Sequence, residues 1–362
     1  MKRGVDIVDS QRLDFLDSLR AVAIGMVVAI HTFGYVHLTG VSYEIVQFLV
    51  YPIAVPVFFL CDGFLFIQRT IKDGDLDYRS FILHSFKRLV LPWLFFSLIY
   101  LAVRATFEIT GILPPMLVVR QSPLEIGLSV WASKIAPQMY FLLSLFFIRA
   151  LAPLLKYLGR LSPLWIGAFL FAYTVGFTLT EDSIKAFMAE GLDPVVHALW
   201  GLKFYLAGML LASVYKTAAR FAKQLAISCF ALVGLLLLIP GENQVVVLLL
   251  QAIYLAGAFF LSLVITKQGG LFTRLGSYTM GIYLFHAPVP IGILGRVFVA
   301  ILGTNLASFS AVVFCGYGVS LVLSVLILKI ERLRFLLGIF PKRARGLDVS
   351  KKRHIIQSEH SR

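Results

Sequence analysis

The sequence predicts an all-α, polytopic integral membrane helix bundle with about ten transmembrane helices. Hydrophobic residues make up 59% of the 362 residues, whereas Asp, Glu, Lys and Arg together make up 14%. A soluble chain carries about 25% charged residues. The mean hydropathy is +0.86, in the same direction. We expect one membrane domain over residues 1–340, followed by a short, basic and disordered tail over residues 341–362.

About ten apolar runs approach the length that crosses a hydrocarbon core of roughly 30 Å at 1.5 Å per residue. The first follows Lys2, Arg3 and Arg12 and has no evident cleavage site, so we expect a retained span. The third is short, and its helix is expected to begin before Leu89. In chain order the predicted spans are Leu16–Tyr35, Ile45–Ile67, Leu89–Val103, Gln138–Leu155, Pro163–Leu179, Pro194–Tyr215, Gln224–Ile239, Gln244–Ile265, Leu275–Val299 and Ser308–Ile330.

Lysines and arginines cluster in alternate loops, and the positive-inside rule then places both termini in the cytoplasm. Arg120, Lys134 and Lys185 are the exceptions. The clustering also accounts for the net charge of +14, which in a soluble protein would suggest nucleic acid as a partner. We expect a lipid bilayer and no nucleic acid.

The three cysteines, Cys61, Cys229 and Cys315, lie in separate apolar runs without metal-ligand spacing. We therefore expect neither a disulfide framework nor a metal site. The sequence has no Walker loop and no G-x-G-x-x-G, H-E-x-x-H or G-x-S-x-G motif. The chain thus lacks the signature of an ATP-driven enzyme.

The first span carries an arginine and a histidine eleven residues apart, Arg20 and His31. On a helix they share one face and are separated by a rise of roughly 16 Å, about half of a bilayer core. His286 lies at a similar depth in the ninth span, on one helix face with Tyr283. Pro288 follows, so a kink is expected there. A titratable imidazole at mid-membrane is costly and suggests function.

Other ionisable residues also fall inside the predicted spans. Asp62 lies in the second span, Arg149 in the fourth and Lys203 in the sixth. Such groups usually face the bundle interior and find a partner, so one interpretation is internal ion pairing, for instance of Asp62 with Arg149. Asp17 and Arg20, three residues apart, are expected to form a local ion pair.

The second cytosolic loop is rich in basic residues, including Arg79, Lys87 and Arg88. On charge alone, these residues are typical of a positive-inside anchor. The alternative is a phosphate clamp, because arginine offers a bidentate fork and lysine a point charge.

Seven sequence features of the chain form a recognisable series: Leu16–Ala21, the Arg20–His31 spacing, Val55–Phe64, Arg88–Trp93, Met139–Leu142, Phe204–Met209 and Gly281–Pro288. Together they resemble the acyltransferase family three integral membrane proteins, over most of the chain from Arg12 to about Pro288. Each segment is weakly specific by itself, but they occur in the family's order. Asp62 stands where the family usually has serine, Ser85 where it has an arginine, and Tyr140 where it has tryptophan.

The resemblance implies an O-acyltransferase of the plasma membrane that uses cytosolic acyl-CoA, with acetyl as the expected group. The acceptor would be a hydroxyl of a cell-envelope or secreted saccharide or glycolipid. Some members carry a C-terminal extracytoplasmic hydrolase-like domain; we expect none here, so transfer would be completed by the chain itself or with a separate extracytoplasmic protein. No metal is implied.

Roles for individual residues follow as hypotheses. A base with a pKa near 7 suits removal of the acceptor proton, so His31 is the expected general base, with an acyl-histidine intermediate as a variant. Arg20 would orient the thioester or its phosphates, and His286 or Tyr283 would stabilise the oxyanion or bind the acceptor. We also expect Asp62 to be one of the catalytic residues. The CoA phosphates would be held by Arg79, Lys87 and Arg88.

Three other classes of function stay open at this stage. A transporter or exporter of a polysaccharide or lipid-linked intermediate would use the buried charges as a pathway, although paired broken helices are not evident. A glycosyltransferase would use acidic groups in an outer loop. A non-catalytic scaffold would leave the buried histidines unexplained. The acidic loop residues are Glu181, Asp182, Glu190 and Asp193.

Overall fold

The computed structural model describes residues 13–71, 76–187, 193–239, 244–266 and 269–340. The predicted basic tail over 341–362 lies outside these residues, as do Lys2, Arg3 and Arg12. Throughout the described ranges, regular structure is helical and no strand occurs, so the all-α prediction is confirmed.

The described ranges contain sixteen α-helices and five short segments of other helical types. The α-helices are α1 Asp14–Thr32, α2 Gly40–Val50, α3 Pro56–Phe66, α4 Tyr78–Ser85, α5 Leu91–Ile109, α6 Pro123–Trp131, α7 Tyr140–Ala150, α8 Ala152–Gly159, α9 Pro163–Phe187, α10 Asp193–Ala218, α11 Ala222–Leu236, α12 Gln244–Ile265, α13 Leu271–Gly276, α14 Thr279–Phe285, α15 Val289–Leu302 and α16 Leu306–Lys329. Short π or 3₁₀ segments are Ile67–Ile71, Phe86–Val90, Pro137–Met139, Ala219–Phe221 and Glu331–Leu337.

Six helical stretches in the described ranges are long and apolar enough to cross a membrane, or up to eight if two bent pairs each count as one span. The predicted number of about ten counted apolar runs, and the structure divides them differently. The second predicted span breaks into α2 and α3, and the sixth and seventh belong to one stretch, Asp193–Leu236. The third helix does begin before Leu89, since Tyr78–Ile109 forms one stretch.

Helix α1 lies inside the bundle, where it packs against α2, α3 and α12 to α16. Leu16, Ile24 and Val28 are fully buried along its length. Because one helix carries both Arg20 and His31, their separation along the bundle is set by the rise of α1, roughly 16 Å. The central position of α1 brings both residues into the protein interior.

Helices α3 and α10 cross with their backbones in contact. Gly63 lies against the backbone of Tyr205, and Gly208 lies against the backbone of Leu60. A methyl group at either glycine would overlap the facing carbonyl, so the approach requires residues without a side chain. The crossing fixes Asp62, next to Gly63, near α7, which packs on the same helix α10.

Two predicted spans are bent. Helices α7 and α8 meet at 63°, and α14 and α15 meet at 65°. Proline follows each break: Pro153 lies in the first turn of α8, and Pro288 precedes α15. The kink predicted after His286 is confirmed. Each break places a polar side chain of the interior, Arg149 or His286, at the end of a helical half.

Candidate active site

The two buried histidines face each other. The ring centroids of His31 and His286 are 5.1 Å apart, and the ring planes are inclined by 54°. His286 is fully buried, whereas His31 is partly accessible. The sequence predicted that the two residues lie at similar depth, but it did not predict that they face each other. Their contact results from how helices α1 and α14 pack.

The hydrogen bonds of His286 define its tautomer. Its Nδ1 lies 2.7 Å from the carbonyl oxygen of Tyr283 and 3.2 Å from that of Ile282. Carbonyl oxygens only accept, so Nδ1 carries the proton and Nε2 of the neutral ring holds a lone pair. Nε2 is buried, and no polar atom of the described chain bonds to it. A hydroxyl entering this site would therefore find a proton acceptor already oriented.

A polar cavity of about 710 Å³ lies at the Arg20 end of α1. Arg20, Arg69, Arg88 and Arg149 line it, and we call it the arginine cavity. Two carboxylates also line it, so these six residues carry a formal charge of +2. Such a surface attracts anions, and guanidinium groups bind phosphates through paired N–H donors. The two carboxylates are those of Asp17 and Asp62.

Two of these arginines are paired with the carboxylates. The guanidinium of Arg149 binds both oxygens of Asp62, with Nε 2.8 Å from Oδ2. Arg20 Nη1 lies 3.5 Å from Asp17 Oδ1. Both ion pairs anticipated from the sequence are present. Arg69 makes no ion pair within the described chain, and neither does Arg88, so two guanidinium groups are available to a bound anion.

A family model described as an acyltransferase domain matches residues 13–329, nearly the whole chain. The chain belongs to this acyltransferase family. No curated protein and no solved structure matches it significantly. The protein is therefore a multi-pass membrane acyltransferase, which implies an acyl donor, an acceptor and a lipid bilayer around it.

In the acyltransferase, Tyr283 supports the histidine pair from one side. Its hydroxyl donates to the backbone oxygen of Gln138, and the Nε2 amide of Gln138 donates to Ala287 at 2.6 Å. The hydroxyl of Tyr100 donates to the carbonyl of Leu284. These bonds hold the chain around His286. Since the Tyr283 proton is committed to a backbone carbonyl, its geometry favours a positioning role.

Of the three residues expected to hold the CoA phosphates, one lines the arginine cavity and two do not. Arg88 lines the arginine cavity, whereas Lys87 and Arg79 are exposed and are not among its lining residues. Adjacent helical positions point about 100° apart, so two neighbouring basic residues do not share a surface. Arg69 and Arg149 line the cavity instead.

Several residues near these sites carried little signal in the sequence. The hydroxyl of Tyr205 is buried without a hydrogen-bond partner in the described chain, and Tyr205 lines the arginine cavity. Gln138 was recognisable only as a polar residue at the start of an apolar run. Lys203 is buried elsewhere, with Nζ 5.0 to 5.8 Å from three aromatic ring centroids.

Among described residues, no cluster of three His, Cys, Asp or Glu side chains suits a metal.

Proposed function

We propose that this acyltransferase transfers an acyl group, with acetyl expected, from cytosolic acyl-CoA to a hydroxyl of a cell-envelope or secreted saccharide or glycolipid. The observation that carries the proposal is the contact between His31 and His286, roughly 16 Å along α1 from the arginine cavity. Acyl-CoA has the same layout, with phosphates at one end of a long arm and a thioester at the other.

The donor would enter through the arginine cavity. Arg69 and Arg88, free of carboxylate partners in the described chain, would bind its phosphates, and Arg20 would lie beside the arm. Lys87 and Arg79, on the exposed surface nearby, would contribute long-range attraction to an approaching anion. By the positive-inside rule, the basic loops support a cytoplasmic position for this end of α1, with both termini on that side of the plasma membrane.

At the histidine pair, the acceptor hydroxyl would attack the thioester carbonyl carbon. A carbon–oxygen bond forms, the carbon–sulfur bond breaks, and the hydroxyl proton moves to the imidazole of His31 as general base. That proton then leaves with the CoA thiolate as the thiol. The lone pair of His286 Nε2 would accept a hydrogen bond from a neighbouring hydroxyl of the saccharide and so orient the acceptor for attack. Tyr283 keeps the ring of His286 in place through the chain around it.

The transporter alternative loses its main support. Asp62 and Arg149 bind each other, whereas a pathway for a solute would use charges that are free to exchange partners. Two bent helix pairs do occur, and bent helices are also found in transporters. Here they place Arg149 and His286 in the interior of a protein that belongs to an acyltransferase family. The same family match favours acyl transfer over glycosyl transfer and over a scaffold.

The test compares His31→Ala with wild type in membranes supplied with radiolabelled acetyl-CoA. His37→Ala is the matched control, because His37 is an exposed histidine beyond the end of α1. We expect a loss of transfer of at least about 100-fold for His31→Ala, the usual contribution of a general base, and none for His37→Ala. Normal transfer by well-expressed His31→Ala would contradict the assignment. Mass spectrometry of envelope glycans from a deletion strain would identify the acceptor by loss of one acetyl increment.

A further inference from the structure

A short segment after the last long helix packs back onto the bundle. We call residues 331–340 the C-terminal segment; it begins with the 3₁₀ turn Glu331–Leu337 and lies beyond the family match, which ends at residue 329. Leu336 and Leu337 are 6% and 4% exposed. Nε of Arg334 donates to the carbonyl of Leu328 at 2.8 Å. These contacts anchor the segment to the helix bundle.

The C-terminal segment forms part of the arginine cavity. Its last four residues, 337–340, all line the cavity. Gly338 has a φ of +68° and lies against the backbone of Arg88, such that a Cβ there would be 2.6 Å from the Arg88 carbonyl oxygen and 3.1 Å from its Cγ. Any side chain at position 338 would therefore displace the segment or Arg88. Segment and arginine are fitted to each other.

We infer that the C-terminal segment is a binding wall for the acyl donor, resting on the proposed function of the cavity. Leu337, Ile339 and Phe340 add apolar and aromatic surface to the cavity beside its four guanidinium groups. An adenine nucleotide combines an aromatic ring with phosphates, so this pairing of surfaces suits the nucleotide end of CoA. Gly338 keeps the wall in contact with Arg88, so a change there alters donor binding rather than the chemistry at the histidines.

The first test is the kinetics of Gly338→Ala in the purified full chain. The control is Gly40→Ala, since Gly40 also has a positive φ, +61°, but no atom lies within 4 Å of an added Cβ. We expect the KM for acetyl-CoA to rise at least about tenfold in Gly338→Ala with kcat changed less than about twofold, and both constants to stay unchanged in Gly40→Ala. An unchanged KM in folded Gly338→Ala would overturn the inference.

A second measurement decides the matter if Gly338→Ala does not fold. Ile339 is 47% exposed, so Ile339→Cys should react with a maleimide. The background replaces Cys229 and Cys315 with serine, and Cys61 is fully buried. Desulfo-CoA, which has no thiol, is expected to slow labelling at least fivefold. Val41→Cys, at a position 69% exposed beyond the other end of α1, should label equally with and without it. Equal labelling of Ile339→Cys would refute the donor wall.

The outcomes separate this inference from the proposed function. A wild-type protein that neither consumes acetyl-CoA nor binds desulfo-CoA would refute the proposed function itself. A wild type that does both, combined with unprotected Ile339→Cys and an unchanged KM for Gly338→Ala, would refute only the role of the C-terminal segment.

Discussion

Removing the charge of Asp62 should destabilise the acyltransferase and at the same time strengthen its binding of acyl-CoA. Asp62 holds the guanidinium of Arg149 through both carboxylate oxygens, and each side chain is only 12% exposed. Asp62→Asn leaves a buried arginine without its counter-charge. Arg149→Met leaves a buried carboxylate in the same position. Both variants break the pair, but they change the charge of the arginine cavity in opposite directions.

The magnitudes follow from burial and Coulomb's law. Removing one partner of a buried ion pair costs about 3–5 kcal/mol. The six charged lining residues total +2, so Asp62→Asn gives +3 and Arg149→Met gives +1. At an effective dielectric constant of about 20, one unit charge about 10 Å from another contributes about 1.7 kcal/mol, slightly more than a tenfold change in affinity. The double variant restores the original charge and removes the unpaired group.

Thermal unfolding in detergent measures stability, and equilibrium binding of desulfo-CoA measures affinity. We expect both single variants to melt well below wild type, and the double variant to recover part of the loss through a coupling of about 0.5–3 kcal/mol. Affinity should rise about tenfold in Asp62→Asn, fall about tenfold in Arg149→Met and return in the double variant. Single variants as stable as wild type would refute the ion pair. Affinities that move in the same direction would refute the cavity as an anion site.

Two further predictions concern structural contacts. Gly208→Ala should lower the free energy of unfolding by about 1–3 kcal/mol or more, because its methyl group would overlap the backbone of Leu60. The control is Gly234→Ala, which should be neutral or stabilising because no atom lies within 4 Å of the added Cβ. Equal melting temperatures of the two variants would count against the tight α3–α10 crossing. The backbone amides of Leu117, Val118 and Val119 donate to the Glu108 carboxylate at 3.0–3.1 Å. Glu108→Gln should therefore speed hydrogen exchange at these three amides about 10- to 100-fold, while amides inside α5 stay protected. Unchanged exchange at the three amides would show that the carboxylate does not hold this loop.

The sequence was sufficient for features that depend on one helix. Helical periodicity placed Arg20 and His31 on one face, and depth counting placed His286 level with His31. It was insufficient for features that depend on how helices pack. Depth along the membrane normal carries no lateral position, so the facing of the two imidazoles became visible only in the fold. The choice of Arg88 over Lys87 as the cavity residue likewise depends on helix rotation.

The number of spans shows a second limit of hydropathy. An apolar run indicates residues that avoid water, whether they face lipid or the protein core. It does not indicate where the helical backbone is interrupted. The run Ile45–Ile67 reads as one span, but the structure ends α2 at Val50 and begins α3 at Pro56. Conversely, Pro194–Tyr215 and Gln224–Ile239 read as two spans, although both belong to one helical stretch. The C-terminal segment carried no sequence signal, since its position depends on packing contacts, including the one between Gly338 and Arg88.

The basic side chains that line the arginine cavity are all arginines, apart from His84, and the described lining includes no lysine. In the proposed route the thioester passes these side chains on its way to the histidine pair, and a lysine amine there would become acylated on nitrogen with release of the CoA thiol. Guanidinium groups stay protonated at physiological pH and are poor nucleophiles, so in the proposed site they would attract the phosphates without competing for the acyl carbon. A lysine in place of Arg88 would keep the charge, and it would also turn the entrance of the enzyme into a slow target of self-modification.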